Sequence, residues 1–544
     1  MVGPGRPDRP GRADEPRLRD LRELADELGR IWLAAAEVQT TPGRERAVLR
    51  LFGVEGLDGE GRPLAAEVVD RYLMADRTRL PAGIALPFVV ALLEYDVPPQ
   101  RLALDVASGA VDLGLEAKLL QRNDQAAAAQ TEAERLVNAA VERIDANRTA
   151  RRELLELLGD APGPWIGTSL LEPAVHEAAE EARQLVLDGA DVVQVDVPAG
   201  RELVRRLGER GVEVPRWLPR DRGPAAPPDD APAGSQRGLA GLRDSLDRAA
   251  ASRGAYVRLL ATPPALATPE TAVVAAFERI DIVEGDPVTD IISAGIDPAR
   301  AIADHVAAAG FHRRAGTAVV LGPGPLTVAP DLAAGIPSDA ATRAGRAIAL
   351  QLMSAGLMRA AGLAPEVIHI GALPAWLADE PDAVPRSAAD VALRRALLPE
   401  HPLAFVEPSD VERGLTWPYL VATLASRPAE GGLVLRRRST GSFASSAAST
   451  RAAVAVAHGL DQALAGRELS GVAAEHWSAA ITTIAETLWR LQQDGWDWLV
   501  GPATETGRGG LGRDSVATRK AGADIVEQAF GLGGRPGAAA RGST

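Results

Sequence analysis

The feature that most constrains the fold is a series of eight short apolar runs that alternate with amphipathic helical stretches. The runs are rich in β-branched residues, as buried parallel strands are, and strands that alternate with helices form βαβ units. Eight such units predict an α/β protein built on a closed (β/α)8 TIM barrel, with an open doubly wound sheet as the alternative. The expected strands lie at Trp165–Leu171, Asp191–Val197, Tyr256–Thr262, Ile280–Asp286, Thr317–Gly324, Val367–Pro374, Leu403–Ser409 and Leu433–Thr440.

The remaining sequence predicts accessory helices on both sides of the barrel, because 544 residues exceed the roughly 250 that a barrel needs. Residues 1–16 are rich in Pro, Gly and charge and predict a disordered leader. Residues 17–162 read as a helical accessory region, 163–445 as the barrel domain, and 446–544 as a C-terminal helical region with a Gly-rich tail. The Pro-rich segment Pro219–Gln236 is expected to be mobile and to lie at the barrel mouth.

Composition excludes several classes of protein. The net charge of −14 disfavours a nucleic-acid partner, because an acidic surface repels phosphate backbones. Cysteine is absent, and the seven histidines show no metal-binding spacing, so no metal site is expected. No apolar run approaches the roughly 20 residues that span a bilayer, and the N-terminus lacks the apolar core of a secretory signal. These observations predict a soluble, cytoplasmic protein without a membrane partner.

Candidate functional residues follow from the barrel, whose reacting groups project from the C-terminal ends of the strands. The residues at these positions are Thr168, Asp196, Thr262, Asp286, Gly322, His369, Glu407 and Ser439. The carboxylates among them, Asp196, Asp286 and Glu407, are the catalytic candidates. Contact with water at the strand ends is the alternative explanation for this polarity.

Three segments are candidate anion-binding sites. The prolines in Gly322–Thr327 remove backbone N–H donors, which favours a tight turn over a phosphate cradle. Gly507–Asp514 has the glycine spacing of a P-loop, but it lacks the Lys-Ser/Thr pair and follows a helix. Arg436–Arg438 at the eighth strand could pair with a carboxylate or a phosphate, but a solvated run of charge is favoured because alternation lets only part of it face inward.

The stretch from Thr41 to Asp70 resembles the N-terminal signature of lysine 5,6-aminomutase α subunits. That signature reads T-x-x-x-E-R-A-V-x-R-L-x-G followed by P-L-x-x-x-V-V-D. The matching residues are Thr41, Glu45, Arg46, Ala47, Val48, Arg50, Leu51, Gly53, Pro63, Leu64, Val68, Val69 and Asp70. The likeness continues in order through residues 188–195, 255–260, 268–283 and 389–409.

The resemblance implies an isomerase that moves an amino group between adjacent carbons of an amino acid by a radical mechanism. It implies two cofactors, adenosylcobalamin and pyridoxal phosphate. It also implies a smaller partner, a β subunit whose Rossmann domain holds cobalamin and which supplies the lysine of the resting aldimine. On this basis the candidates for cofactor contact are Gly200, Thr262, Arg300, Arg437 and Ser439.

The chain departs from the family at the strand ends. The family's Arg-Thr-Thr/Ser-Gly after the second strand is replaced by residues 197–200, where only Gly200 matches. The family's Asn-Tyr-x-Ser-Gly after the third strand is replaced by residues 261–265, which lack an aromatic ring. Lysine occurs only at Lys118 and Lys520, and neither lies on a predicted strand. We therefore predict weak or absent binding of pyridoxal phosphate by the isolated chain.

These departures leave two alternatives to an active aminomutase subunit. One is a catalytically degenerate homologue that keeps the barrel for binding or assembly, since a fold can persist after its site has changed. The other is a barrel enzyme that has lost pyridoxal phosphate and performs unrelated chemistry.

Overall fold

A computed structural model describes residues 15–58, 63–171, 175–197, 235–292, 294–322, 339–372, 383–407, 432–436, 471–500, 515–520 and 529–530. Most of the expected leader and of the Pro219–Gln236 segment lies outside these residues. The exceptions are residues 15–16, which begin the first helix, and residues 235–236, where Ser235 caps a helix that starts at Gln236.

Eight parallel strands close into a barrel in chain order, which confirms the predicted fold over the open-sheet alternative. Each predicted run contains one strand. The strands are β1 Trp165–Ser169, β2 Val192–Asp196, β3 Arg258–Thr262, β4 Ile282–Glu284, β5 Ala318–Leu321, β6 Ile368–Ala372, β7 Leu403–Glu407 and β8 Leu433–Arg436. The barrel closes where β1 pairs with β8, from Trp165 opposite Leu433 to Thr168 opposite Arg436.

Alternation along the strands separates an inner from an outer face. The inner face packs as one apolar cluster formed by Val192, Leu260, Ile282, Val320, Ala404, Leu433 and Leu435. The neighbouring positions pack outward against the helices, and they include Ile166, Val193, Leu259, Val283, Phe405 and Val434. The same alternation decides which polar side chains at the strand ends face the interior.

The N-terminal end of the barrel is filled by polar and aromatic side chains. Arg258 forms two hydrogen bonds of 2.7 Å with the Asp160 carboxylate, and its guanidinium lies 3.4 Å from the centre of the Trp165 ring. His369 packs against the same ring with 6.0 Å between centroids. Trp165 and Arg258 are the first residues of β1 and β3, so this group lies opposite the mouth.

Helices account for most of the remaining described residues. Seven precede the barrel: α1 Glu15–Glu37, α2 Pro42–Leu51, α3 Leu64–Ala75, α4 Ala85–Tyr95, α5 Pro99–Ser108, α6 Leu113–Glu116 and α7 Asn123–Leu158. The next seven are α8 Val175–Leu187, α9 Gln236–Arg253, α10 Thr268–Phe277, α11 Pro287–Ile292, α12 Pro298–Ala315, α13 Ala340–Ala360 and α14 Ala383–Leu397. Two follow β8: α15 Gly471–Asp494 and α16 Asp497–Val500. No helix in the described part of the chain is both long and apolar enough to cross a membrane.

The segment that resembles the family signature attaches the N-terminal helices to the barrel. Thr41 caps α2, accepting a hydrogen bond from the Arg44 amide at 3.1 Å and donating one to Asp304 of α12. Arg50 on the same helix pairs with Glu270 of α10 at 2.6 Å. Because both partners belong to helices that surround the barrel, the signature residues bind one layer of the fold to another.

The C-terminal part of the chain contacts the region where the N-terminal helices meet the barrel. Residues Ala517–Thr518 form a short antiparallel ladder with Gln39–Thr40, in a region where the sequence indicated no strand. Further along, Phe530 packs edge-on against Phe311 of α12 with 4.9 Å between ring centroids, and its carbonyl accepts a hydrogen bond from Arg313. These contacts join the C-terminal residues to the N-terminal layer and to a barrel helix.

Candidate functional site

Three polar side chains meet on the inner face of β2, β3 and β4, and we call Gln194, Thr262 and Glu284 the β2–β4 arc. The Gln194 amide nitrogen donates to the Thr262 hydroxyl at 2.7 Å and to a Glu284 carboxylate oxygen at 3.3 Å. The Thr262 hydroxyl donates to the same carboxylate oxygen at 2.9 Å. Thr262 and Glu284 end their strands, so the arc lies at the C-terminal mouth, where barrel enzymes place their reacting groups.

Asp196 adds a second carboxylate beside the arc. It is the last residue of β2, it is exposed, and its strand partner is Thr262. Gln194 lies two positions earlier on the same strand and is 99% buried, with 1% of its surface accessible. The mouth therefore combines a solvent-accessible carboxylate with a buried amide one layer deeper.

Asp286 lies just beyond β4 and is held by a different set of contacts. It accepts hydrogen bonds from the Ser354 hydroxyl of α13 at 2.7 Å and from the Val288 amide at 2.8 Å. Burial raises the pKa of this carboxyl above its usual range, while the Ser354 hydrogen bond opposes the increase. A Cβ atom at Gly322, whose φ is +47°, would lie 2.9 Å from the second carboxylate oxygen, so this contact requires glycine.

A buried histidine lies next to this carboxyl group. His305 of α12 is within 3.0 Å of the Asp290 carboxylate, and its ring passes 3.3 Å from the position of a Cβ atom on Gly285. The end of β4 thus brings together Asp286, Asp290 and His305, just beyond Glu284 of the β2–β4 arc. Of the three, Asp286 is the group whose raised pKa favours a bound proton, and the Ser354 hydroxyl fixes its orientation.

The structure also shows where the other strand-end candidates lie and whether its described residues could bind a metal ion. Glu407 is the last residue of β7, and its side chain lies outside the described part of the structure. His369 is buried within the barrel beside Trp165, where burial lowers its pKa to about 4 and Arg258 adds to the decrease. Thr168 lies two positions after Ile166, which packs outward against the helices, so Thr168 also belongs to the outer face. Among the described residues, no group of three or more His, Cys, Asp or Glu could hold a metal ion.

The candidates for cofactor contact are dispersed. Thr262 belongs to the β2–β4 arc. Arg300 is fully buried on α12, where it pairs with Asp304 at 2.7 Å and donates to the Ser515 hydroxyl. Gly200, Arg437 and Ser439 lie outside the described residues.

Neither lysine lies on a barrel strand. Lys118 is in a 3-10 helix at Ala117–Gln121, and Lys520 is in the segment that contacts the N-terminal layer. This agrees with the expectation from the sequence that neither lysine falls on a strand.

Sequence reasoning missed Gln194 and Glu284 as members of the site. Gln194 interrupts an otherwise apolar strand, Val192–Val195, and a lone polar residue there is a usable signal because buried polar groups require partners. Glu284 was missed because the predicted strand ended at Asp286, two residues too late.

Comparison with known proteins gives a consistent result. The family model described as "D-Lysine 5,6-aminomutase TIM-barrel domain of alpha subunit" matches residues 12–418. A lysine 5,6-aminomutase alpha subunit from Fusobacterium nucleatum is 26% identical over 399 residues, which are 73% of this chain and 71% of that protein. One from Acetoanaerobium sticklandii is 28% identical over 268 residues, which are 49% of this chain and 48% of that protein.

Among solved structures, this chain is similar to a rubisco-like protein from Burkholderia fungorum at 16% sequence identity. The alignment covers 61% of this chain and 68% of the rubisco-like protein. Its TM-score of 0.34 is too low to support any conclusion about function.

Proposed function

This chain belongs to the family of the D-lysine 5,6-aminomutase α subunit, and on that premise we propose that it is the barrel subunit of an amino-acid isomerase. The reaction proposed is the movement of an amino group between adjacent carbons. The observation that carries the proposal is the family match over residues 12–418, which includes seven of the eight barrel strands and the polar groups at the ends of β2–β4.

The proposal includes a partner and a location. The two curated relatives are named alpha subunits, which supports a hetero-oligomer with a smaller β subunit. In the family, adenosylcobalamin and pyridoxal phosphate supply the radical and the electron-accepting chemistry, and we propose that the partner holds the cobalamin. We further propose that the assembly works in the cytoplasm, on an amino-acid substrate.

The described residues at β2–β4 do not fit pyridoxal phosphate. A bound phosphate requires hydrogen-bond donors or cations, whereas this part of the mouth carries the Glu284 and Asp196 carboxylates. The Thr262 hydroxyl and the Gln194 amide group already donate within the arc. The Arg300 guanidinium is engaged by Asp304. If the cofactor binds, its phosphate must be held by the partner subunit or by residues outside the described structure.

Among this chain's own groups, Asp286 is proposed to exchange a proton at the mouth. Its carboxyl group has a raised pKa, and the Ser354 hydroxyl fixes one of its oxygens. Asp196 and Glu407 remain proposed catalytic carboxylates because each is the last residue of a barrel strand, β2 and β7 respectively.

A catalytically degenerate homologue is the second candidate. The specific observation in its favour is the same arc, in which the donors of Gln194 go to Thr262 and Glu284 and that of Thr262 goes to Glu284. A barrel of this kind would bind a small molecule or a partner without turnover.

Co-expression with a candidate cobalamin-binding β subunit tests both alternatives. We expect the two chains to co-purify, to show the visible bands of a corrinoid and an aldimine, and to isomerise an amino acid. The substitution Asp286→Asn should abolish turnover and preserve the complex. Glu366→Gln provides a matched control, because Glu366 is exposed just before β6, at the opposite end of the barrel.

A stable complex without turnover on any amino acid would favour the degenerate homologue. Failure of the two chains to associate, with no cofactor bands in the mixture, would reject the isomerase proposal.

A further inference from the structure

Helix α12 presents two different faces to the rest of the fold. Each residue of an α-helix advances by about 100°, so Arg300, Asp304 and Phe311 lie within about 40° of one another on one face. His305 and His312 lie together on a second face, about 100° away around the helix axis. All five side chains are buried, so both faces pack against other parts of the chain.

The first face of α12 meets the C-terminal end of the chain, and we call residues 515–520, 529 and 530 the C-terminal latch. Arg300, in the first turn of α12, donates a hydrogen bond to the Ser515 hydroxyl. Phe530 packs edge-on against Phe311, with 4.9 Å between ring centroids. Arg300 and Phe311 are about 16 Å apart along the helix axis, so the latch contacts α12 near both of its ends.

The first part of the latch is held by backbone hydrogen bonds. It forms the short antiparallel ladder with the N-terminal layer. The Arg519 amide then donates to the Val38 carbonyl oxygen at 2.9 Å, and the Lys520 amide donates to the Pro81 carbonyl oxygen at 2.9 Å. Each such bond contributes little by itself, and a ladder of two short strands is marginally stable. A segment held in this way can open locally while the core of the protein stays folded.

The second face of α12 reaches the mouth of the barrel. His305 lies between the two positions that contact the latch, and its ring nitrogen is 3.0 Å from the Asp290 carboxylate. The same ring lies 3.3 Å from the position of a Cβ atom on Gly285, the residue that precedes Asp286. A displacement of α12 would therefore move His305 relative to the carboxyl groups at the end of β4.

We propose that the C-terminal latch is a conformational device that holds α12 against the barrel and so orders the group formed by Asp286, Asp290 and His305. When the latch is docked, α12 is held near both ends and His305 is fixed beside the mouth. When the latch opens, α12 loses both contacts and the group at the end of β4 becomes more mobile.

The opening is local, because α12 also packs against α1 and α10. These contacts keep the helix in place on the barrel, so release of the latch loosens α12 without unfolding the chain. The inference goes beyond the proposed function, since it concerns order at the mouth and holds for any ligand or reaction there.

Hydrogen–deuterium exchange of the full chain, read by mass spectrometry, tests the latch without ligand, cofactor or partner. We expect the amides of residues 515–520 to be protected in the unmodified chain. Lys520→Pro removes the amide that donates to Pro81, because proline has no N–H group. Exchange in α12 and in residues 282–292 should then become about tenfold faster, the upper range for loss of one hydrogen bond. Exchange in α8 should not change, because α8 packs against α9 elsewhere on the barrel.

Two further variants complete the test. Lys520→Ala is the matched control, because it removes the same exposed side chain but keeps the amide, and its exchange should equal that of the unmodified chain. Phe530→Ala removes the contact with Phe311 and should accelerate exchange in α12 and in residues 282–292 by about a hundredfold or more. It opens the latch independently of the ladder, so the test stands if Lys520→Pro does not fold.

The inference is overturned if the latch amides exchange freely in the unmodified chain. It is also overturned if the latch becomes unprotected in Phe530→Ala while α12 and residues 282–292 exchange as before, since the latch would then not be coupled to the mouth. An equal rise of exchange in α8 would show a general loss of stability instead of a local opening. If Lys520→Ala matched Lys520→Pro, the backbone hydrogen bond would not be what holds the latch.

Discussion

Replacing Gly29 by alanine tests the packing of α1 on α13, because two effects of opposite sign compete there. A Cβ atom at Gly29 would lie 2.4 Å from the carbonyl carbon of Gly356 and 2.6 Å from the Leu357 amide nitrogen. The contact is reciprocal, since a Cβ atom at Gly356 would lie 2.6 Å from the Ala25 carbonyl oxygen. The two helices therefore touch through backbone atoms, which cannot move aside as the end of a flexible side chain can.

The magnitude decides which effect dominates. Helix propensity alone favours alanine over glycine by about 1 kcal/mol. Overpacking a close contact costs about 1–3 kcal/mol and occasionally more, and Gly29 belongs at the upper end because the atoms in contact are backbone. We expect Gly29→Ala to lower the free energy of unfolding by about 2 kcal/mol.

Urea denaturation followed by circular dichroism measures this change, with Thr131→Ala as the control. Thr131 is exposed on α7, so its replacement adds helix propensity without a close contact. The control should unfold at the same or a slightly higher urea concentration than the unmodified chain. If Gly29→Ala were as stable as the unmodified chain or more so, the close crossing of α1 and α13 would be wrong.

Four further predictions follow from the structure. Arg50→Ala should lower the free energy of unfolding by about 3–5 kcal/mol in urea titrations, because it leaves the buried Glu270 carboxylate without its partner. Phe530→Ala should release the C-terminal residues, which limited proteolysis would detect as earlier cleavage near the end of the chain; an unchanged pattern would contradict this. Burial lowers the pKa of His369 to about 4, below the unfolded value of about 6.5. The folded state therefore disfavours the protonated imidazole, and about 3 kcal/mol of stability that is present above pH 6.5 is lost as the pH falls toward 4. His369→Gln should therefore flatten the stability of the chain between pH 4 and 6.5, measured as urea midpoints. Pyridoxal phosphate added to the isolated chain should show weak or no saturable binding in its visible spectrum, and tight binding abolished by Lys520→Ala would contradict the proposed site.

The barrel could be predicted because its signal is local and repeated. Each strand is a short β-branched run such as Val192–Val195, and each run is followed by helical spacing. The sequence was a poorer guide to whether a side chain at a strand end faces the inside or the outside of the barrel. Thr168 was selected as a strand-end residue and faces outward, because inward or outward orientation depends on where alternation begins, and a shift of one residue reverses it.

Long-range pairing accounts for most of what the sequence could not reveal. The ladder between Gln39–Thr40 and Ala517–Thr518 is two residues long, too short for a strand pattern. Arg300 was proposed for cofactor contact from the family resemblance, and the structure places it in a buried pair with Asp304. Neither the Arg300 pair nor the ladder has a periodic signal, because each depends on which segments the fold brings together.

The family signature and the site therefore carry different information. Thr41 and Arg50, which belong to the signature, contact helices around the barrel and lie outside the group of side chains at the mouth. A match through these residues constrains the fold, since altering them would separate two packed layers. We propose that substrate choice depends instead on residues at the mouth such as Gln194 and Glu284, which can change while the layers stay packed. Family membership therefore establishes the barrel, and the reaction must be established by ligand binding and turnover at the mouth.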